Sequence, residues 1–134
     1  MDSILTSIKK MLGLDEDYEA FDTDIIIYIN GELATLNQLG VGPKEGFSIT
    51  GKNETWSTFL MPTILASSIE SNKIESFLSF VKTFVYLKVR VKFDPPNNSF
   101  VLQALKEDAK EYEWRIVTQV ERRDLNGQIY SGTD

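Results

Sequence analysis

The sequence predicts an all-α fold: a compact bundle of four to five helices with one long central helix, a glycine-rich loop or small β-finger, and a mobile C-terminal tail. Apolar residues recur every three or four positions in several long stretches, which is the period of a helix face. Glycine or proline follows these stretches, where helices end. The 134 residues fit one domain. We predict a single helical domain over residues 1–124 and a flexible tail over residues 125–134.

The first helix is predicted in "DSILTSIKKMLG". Ile4 and Ile8 lie on one face of it, and Asp2 or Ser3 can cap its first turn. Gly13 stands where a helix closes with a left-handed residue. The acidic link "LDEDYEAFD" follows.

The second helix is predicted in "TDIIIYINGELATLNQLG", capped by Asp22 or Thr23 and closed by Gly40. A β-branched run opens it and could indicate a strand. The helical period nevertheless continues for several turns, through Ile25, Ile29, Leu33 and Leu36, so the helix is preferred. Gly31 inside this helix costs about 1 kcal/mol against alanine, and a close crossing by another helix is one reason to tolerate it.

Residues 41–54 are rich in glycine and carry Phe47 and Ile49 two positions apart, which predicts an exposed loop or a small β-finger. Thr55 can cap a short helix over "WSTFLM". Pro62 is expected to end that helix, because proline has no amide proton and crowds the preceding turn.

The stretch "KVRVKFDPP" alternates apolar and basic residues like a strand, although the residues before it repeat at helical spacing. Placed at 100° per residue, about twenty residues upstream of Pro95 form one apolar half-cylinder, whereas a strand explains six. We therefore predict one long helix that ends near Asp94, before the two prolines.

The last long helix is predicted in "NNSFVLQALKEDAKEYEWRIVTQVERR", started by Asn98 or Ser99. Its core stripe is Leu102, Leu105, Ala109, Tyr112, Ile116 and Val120. Phe100 and Trp114 lie on the opposite side among charged residues. Trp114 is either a contact with another chain or a side chain packed under a neighbouring loop, and the pattern does not separate these two.

Lys88 and Lys92 stand four residues apart at the end of the long helix. Cations are favoured there by the helix dipole, and their stems can lie on apolar surface. The alternative is a dedicated site for an anionic partner. The first interpretation is the preferred one.

Composition excludes many functions. There is no cysteine and no histidine, so thiolate chemistry, zinc binding and the usual proton shuttle are missing. The acids at 15–17 lack the pattern of a calcium loop, and Asp22 and Asp24 fit a helix start. We expect no enzyme activity and no cofactor. Neither a secretory signal nor an apolar run of membrane-spanning length is visible, so we expect no contact with a membrane.

The net charge of −6 is unevenly spread. Residues 1–67 hold 4 basic and 10 acidic residues, and residues 68–134 hold 10 of each. Proteins that bind DNA non-specifically neutralise its phosphates with basic residues, so this chain is a poor DNA clamp.

Several pieces together resemble the head-tail connector, or head-completion, proteins of tailed bacteriophages, especially phages and prophages of Gram-positive hosts. They are "SIKKMLGLDEDYEAFDTDIIIYIN", "LNQLGVGPKEGFSI", "TWSTFL", "VKTFVYLKVRVKFDPP" and "EYEWRI", in the family's order. The departures are Asn30-Gly31, where larger residues are expected, and a longer "MPTILASSIESNK".

The resemblance implies a non-enzymatic virion protein, present in the host cytoplasm during assembly and then at the head-tail interface. It implies a twelve-fold ring of copies below the portal protein, contacts with a stopper or tail-completion protein, and DNA passing through the lumen without specific binding. We expect subunit or portal contacts from Ile27, Phe47, Ile49, Lys88, Lys92, Phe100, Trp114, Ile129 and Tyr130. The rival hypotheses are a cellular helical adaptor that binds a peptide partner and, more weakly, a carboxylate-metal enzyme.

Overall fold

The computed structural model describes residues 3–67 and 69–127, and the side chains of these residues up to 120. This part of the chain contains five α-helices: α1 (Ile4–Met11), α2 (Asp22–Gln38), α3 (Trp56–Ala66), α4 (Ile74–Phe93) and α5 (Ser99–Gly127). One turn of 3₁₀-helix, Ser71–Lys73, leads into α4. No strand occurs in these residues, and a single isolated bridge joins Ser3 to Thr55. The predicted all-α class is confirmed.

Three of the helices begin at a polar cap. The side chains of Ser3, Thr55 and Asn98 each accept a hydrogen bond from a backbone N–H two or three residues further on. These caps satisfy N–H groups that have no partner inside the helix. The capping prediction is wrong for α2, where Asp22 is already helical and Phe21 precedes it without a side-chain cap. The Asp22 carboxylate instead contacts a lysine of α1.

The helices end where the sequence predicts, with one exception at Pro62. Gly13 and Gly40 adopt positive φ angles of 84° and 94°, as predicted for closing residues. Pro62 does not end α3, which continues to Ala66. Proline removes one backbone hydrogen bond. Tertiary contacts hold the last turn nevertheless, because the buried Thr63 hydroxyl accepts a 2.7 Å hydrogen bond from the backbone N–H of Gly42.

Helix α4 is the central element and packs against each of the other four helices. Its buried side chains are Phe77, Val81, Phe84, Val85, Leu87 and Val89. This face is the apolar half-cylinder that the sequence predicts. The helix ends at Phe93 with Asp94 after it, so the ambiguous alternating stretch is helical, as predicted.

The core between α1, α2, α3 and α4 is built on large side chains. Trp56 and Phe59 of α3 are fully buried, and the Trp56 indole donates a 2.8 Å hydrogen bond to the Ser7 hydroxyl. A buried indole N–H needs such a partner. This bond connects the first turn of α1 to the first turn of α3.

Gly31 has a different environment from the one we expected. It is exposed, and a Cβ built there would meet no atom within 4 Å. No described helix crosses at this point, so a close crossing is not the reason that α2 tolerates this glycine.

Helix α5 lies along α4 and buries Ala109, Ile116 and Val120, which belong to the predicted stripe. It runs to Gly127, so the predicted boundary between residues 124 and 125 falls inside the helix.

Candidate assembly surfaces

The most exposed apolar side chains among the predicted contacts lie on α2 and α5. Ile27 is 61% exposed, although its neighbours Ile25 and Ile29 are fully buried. Phe100 is 85% exposed and Trp114 is 64% exposed. Burial of such large apolar side chains by a partner is favourable, because it removes apolar surface from water.

Phe100 and Trp114 share one side of α5. They are 14 residues apart, which places them about 40° apart around the helix and about 21 Å apart along it. The exposure of Trp114 excludes its packing under a described loop. Arg115, the next residue, stacks its guanidinium 5.7 Å from the Phe80 ring centroid and pairs with Glu111. The α5 surface next to Trp114 is therefore ordered by internal contacts.

The glycine-rich segment is a loop folded onto the bundle, without a β-finger. The Phe47 ring lies 5.3 Å from the Phe59 ring, and Ile49 is only 1% exposed. Asn30 holds this part of the loop, because its side-chain amide donates to the Ile49 carbonyl at 3.0 Å and accepts from the Ile49 N–H at 2.7 Å. Ile49 therefore belongs to the subunit's own core and leaves the set of surface candidates. Phe47 is half-buried and stays at its edge.

The end of the same loop is fixed by Glu54. Its carboxylate accepts hydrogen bonds from the backbone N–H and the hydroxyl of Thr50, both at 3.0 Å. Burial raises the pKa of Glu54, but hydrogen bonds from the backbone of Glu54, Thr50 and Gly51 and from the Thr50 hydroxyl outweigh it and lower the pKa overall. The loop is thus stabilised most when Glu54 is ionised.

Lys88 and Lys92 line a groove between α4 and α5. We call it the basic groove; its lining residues are Lys88, Val91, Lys92, Lys106, Ala109, Lys110 and Glu113, and its volume is about 230 Å³. Val91 and Ala109 give it an apolar floor. Four lysines and one carboxylate line a single cavity on a chain whose net charge is −6.

Lys92 has a partner that the sequence did not reveal. Its amine lies 2.9 Å from a carboxylate oxygen of Glu32, a residue of α2 that is 2% exposed. The other oxygen of Glu32 is buried and has no hydrogen-bond partner in the described residues. Removal of Lys92 would leave a buried carboxylate unpaired, so this lysine has a structural role between α2 and α4.

Lys88, Lys106 and Lys110 are different, because no ion pair is found for them in the described part of the chain. The Lys88 amine lies 6.0 Å above the Phe84 ring, and its stem is half-buried. The two α5 lysines are exposed. The sequence indicates the α4 half of this groove but not the α5 half, since only packing brings the two helices together.

A second charged surface was also missed. We call residues 15–21 the acidic segment; Asp15, Glu16, Asp17 and Glu19 are all exposed there. The buried Lys9 of α1 holds it, donating to the carbonyls of Glu16 at 3.0 Å and Tyr18 at 2.7 Å. A lysine beside the apolar stripe of α1 and shortly before a run of acids is the signal that could have indicated this anchor.

Aromatic rings accompany the acidic segment. Tyr18 and Phe21 are 49% and 40% exposed and meet edge to face at 5.8 Å. Phe21 also meets Phe93, the last residue of α4, at 5.3 Å. The segment therefore combines carboxylates with partly exposed apolar surface at the carboxyl end of α4.

Helix α3 adds one more apolar surface, formed by Met61 and Leu65. Because Pro62 was expected to end the helix, this face was not predicted. Ile129 and Tyr130, the predicted contacts in the tail, lie outside the described residues.

The comparisons with known proteins decide the family. The family model described as phage connector protein matches residues 4–123. The chain belongs to the phage connector protein family. Neither the curated proteins nor the solved structures gave a match to it.

Family membership makes this connector a structural protein of the phage head-tail region that interacts with other head or tail proteins. The resemblance found in the sequence is thereby confirmed. In the described residues, no group of three or more acidic side chains is placed to hold a metal ion, and no helix has the length and apolar character needed to cross a membrane. This family suggests a role in structural assembly and therefore favours it over the rival hypothesis of a cellular adaptor.

Proposed function

We propose that the connector forms a closed ring below the portal, twelve copies in the virion, which joins the head to the tail and extends the DNA channel. Its partners in this role are the portal on one side, a stopper or tail-completion protein on the other, and its own copies around the ring. DNA passes through the lumen without specific binding. Catalysis has no part in this function.

The observation that carries the proposal is the placement of exposed apolar side chains on different helices. A ring built from identical subunits needs two different patches on each copy, one for each neighbour. Ile27 on α2 and the pair Phe100 and Trp114 on α5 provide apolar material on separate elements. Further partners above and below the ring require additional surface, which Met61 and Leu65 on α3 offer.

Charge supports the channel role. The chain carries 20 acidic and 14 basic residues. A wall with an excess of carboxylates repels phosphates, so DNA can move past it without being held.

The experiment mixes the purified connector with the purified portal of the same phage and examines the mixture by negative-stain microscopy. We expect a ring of connector stacked on the portal ring. A portal that never acquires this added ring, at any ratio of the two proteins, would contradict the proposal.

A matched pair of variants tests the α5 surface. Phe100→Ser with Trp114→Ser removes exposed side chains, so the helical circular dichroism and the unfolding midpoint should stay unchanged while ring formation on the portal is lost. Lys52→Ser with Asn53→Ser, two exposed loop positions, is the control and should assemble normally. Equal assembly of both variants would remove α5 from the proposed interface.

The tail is tested by deletion. Because α5 reaches Gly127, removal of residues 128–134 spares the helix. We expect an unchanged helical spectrum and weaker binding to the portal, as proposed for Ile129 and Tyr130. Unchanged binding would rule out the tail as a portal contact.

A further inference from the structure

We propose that the basic groove of one connector binds the acidic segment of a neighbouring copy, and that this contact is the repeating link of the ring. The inference rests on the proposed ring. It goes beyond it by naming the two surfaces that meet and the chemistry that joins them.

The groove has unsatisfied positive charge. Lys88, Lys106 and Lys110 line it without an ion pair in the described residues, against one carboxylate, Glu113. Lys92 is already held by Glu32. On a chain with an excess of acids, three lysines without an ion pair around one cavity favour an anionic ligand.

The acidic segment has the matching character. Four exposed carboxylates surround Tyr18 and Phe21, while the groove surrounds an apolar floor, Val91 and Ala109, with lysines. The aromatic rings of the segment would pack on the apolar floor of the groove, and its carboxylates would pair with the lysines around that floor. The chain thus contains the anionic ligand that its own groove requires.

The positions of the two surfaces fit a link from one copy to the next. Val91 and Lys92 belong to the groove, and the next residue, Phe93, supports the acidic segment through Phe21. Lys88 is five residues from Phe93, a rise of about 7.5 Å, so both surfaces lie towards the carboxyl end of α4. Phe93 is about 140° around the helix from Lys88, so they face different directions. Two different surfaces near the same end of α4 and on different sides of it suit a head-to-tail ring, which needs two different patches on each subunit.

The acidic segment is also preorganised for binding. Lys9 fixes its backbone through two carbonyls, so less conformational freedom is lost when a neighbour binds it. A segment without this anchor would be a poorer ligand.

The test uses cross-linking, which the absence of cysteine in the chain makes selective. Two full-length proteins are mixed, one carrying Ala20→Cys within the acidic segment and the other Gln103→Cys, which shares the lysine face of α5. Both changes leave every charge in place. With a short bismaleimide, we expect a covalent dimer of these two proteins. Ala20→Cys mixed with Ala66→Cys, on α3, is the matched control and should give little product.

Charge reversal then tests the chemistry. In the cross-linking background, Lys106→Glu with Lys110→Glu, or Asp17→Lys with Glu19→Lys, should each reduce the yield about tenfold or more, because like charges now meet. When the groove-reversed and segment-reversed proteins are mixed, each surface again meets its opposite, and the yield should return. High salt should reduce it, since the Debye length falls to about 3 Å at 1 M.

Two results would overturn the inference. The first is a cross-link yield no higher than that of the control pair, or one that both reversals leave unchanged. The second concerns the variant Lys106→Glu with Lys110→Glu. If it cross-links normally but no longer binds duplex DNA, the groove binds phosphates and not the acidic segment. The proposed function is judged separately, by wild-type binding to the portal. If the groove-reversed protein still forms complete rings there, the groove is not the link and the ring proposal stands.

Discussion

Replacement of Lys9 by methionine should destabilise the protein strongly, although the residue is a lysine in a short helix. Its side chain is 2% exposed, and its amine meets two backbone carbonyls and, at 2.8 Å, the Asp22 carboxylate. Methionine preserves most of the packed stem and removes the charge. The acidic segment and the start of α2 then lose their common anchor.

The size of the effect follows from the partners that are left behind. Removal of one member of a buried ion pair costs about 3–5 kcal/mol. The Asp22 oxygen that faces Lys9 is buried, but the side chain as a whole is 24% exposed, so water reaches the rest of the carboxylate and recovers part of that cost. The carbonyls of Glu16 and Tyr18 lose a charged donor, which is worth about 1.5–3 kcal/mol each before water replaces it. We expect a loss of about 3 kcal/mol and a Tm lower by about 10 °C.

Urea unfolding followed by circular dichroism measures this loss as a shift of the midpoint at constant slope. Lys10→Met is the matched control, since it removes the same charge from the neighbouring exposed position and should cost less than about 0.5 kcal/mol. A Glu-specific protease should also cut the segment at Glu16 or Glu19 faster in Lys9→Met. A Lys9→Met protein as stable as Lys10→Met would refute the reasoning that this buried amine holds the segment.

Three further predictions concern single positions. Gly31→Ala should raise the free energy of unfolding by about 0.5–1 kcal/mol in urea melts, because the position is helical and open; a loss of stability would show a steric contact that the structure lacks. Gly42→Ala should destabilise by about 2 kcal/mol or more, because φ is 95° and a Cβ would lie 2.5 Å from the Phe59 ring; an unchanged melting temperature would contradict this. Glu54→Gln should be less stable than the wild type at about pH 7, where the lowered pKa keeps the carboxylate ionised. That difference should disappear as the pH falls below the usual value of 4.5 and through the lowered pKa. A difference that does not shrink as the pH falls below 4.5 would exclude the carboxylate as its source.

Much of the fold could be predicted because helix formation depends mainly on residues that are close together in the sequence. The stripe of α4 and the proline pair after it decide between helix and strand within twenty residues. The caps Ser3, Thr55 and Asn98 are visible for the same reason, since each acts on a backbone group two or three residues away. The prediction at Pro62 was wrong because proline weakens a helix through its nearest neighbours, and those are visible in the sequence. The compensating hydrogen bond joins Thr63 to Gly42, which is 21 residues away in the chain.

Less of the assembly surface could be predicted. The exposure of Phe100 and Trp114 followed from their position opposite the core stripe. The sequence placed Ile49 in an exposed loop or β-finger. In the structure, two hydrogen bonds with the side chain of Asn30 on α2 hold the Ile49 backbone, and the Ile49 side chain lies in the core. A spacing of two residues predicts alternation, and it cannot tell which side a separate helix will cover.

The sequence by itself determined that this chain is helical, where most helices start and stop, and which family of phage proteins it belongs to, because these properties depend on spacing and order along the chain. Only the tertiary structure decided which charges have partners. Lys9 and Lys92 are occupied internally, while Lys88, Lys106 and Lys110 converge on one groove without an ion pair in the described residues. The reason is physical: the strength of a charge-charge interaction depends on the distance and on the water between two groups, and both are fixed only when remote helices pack.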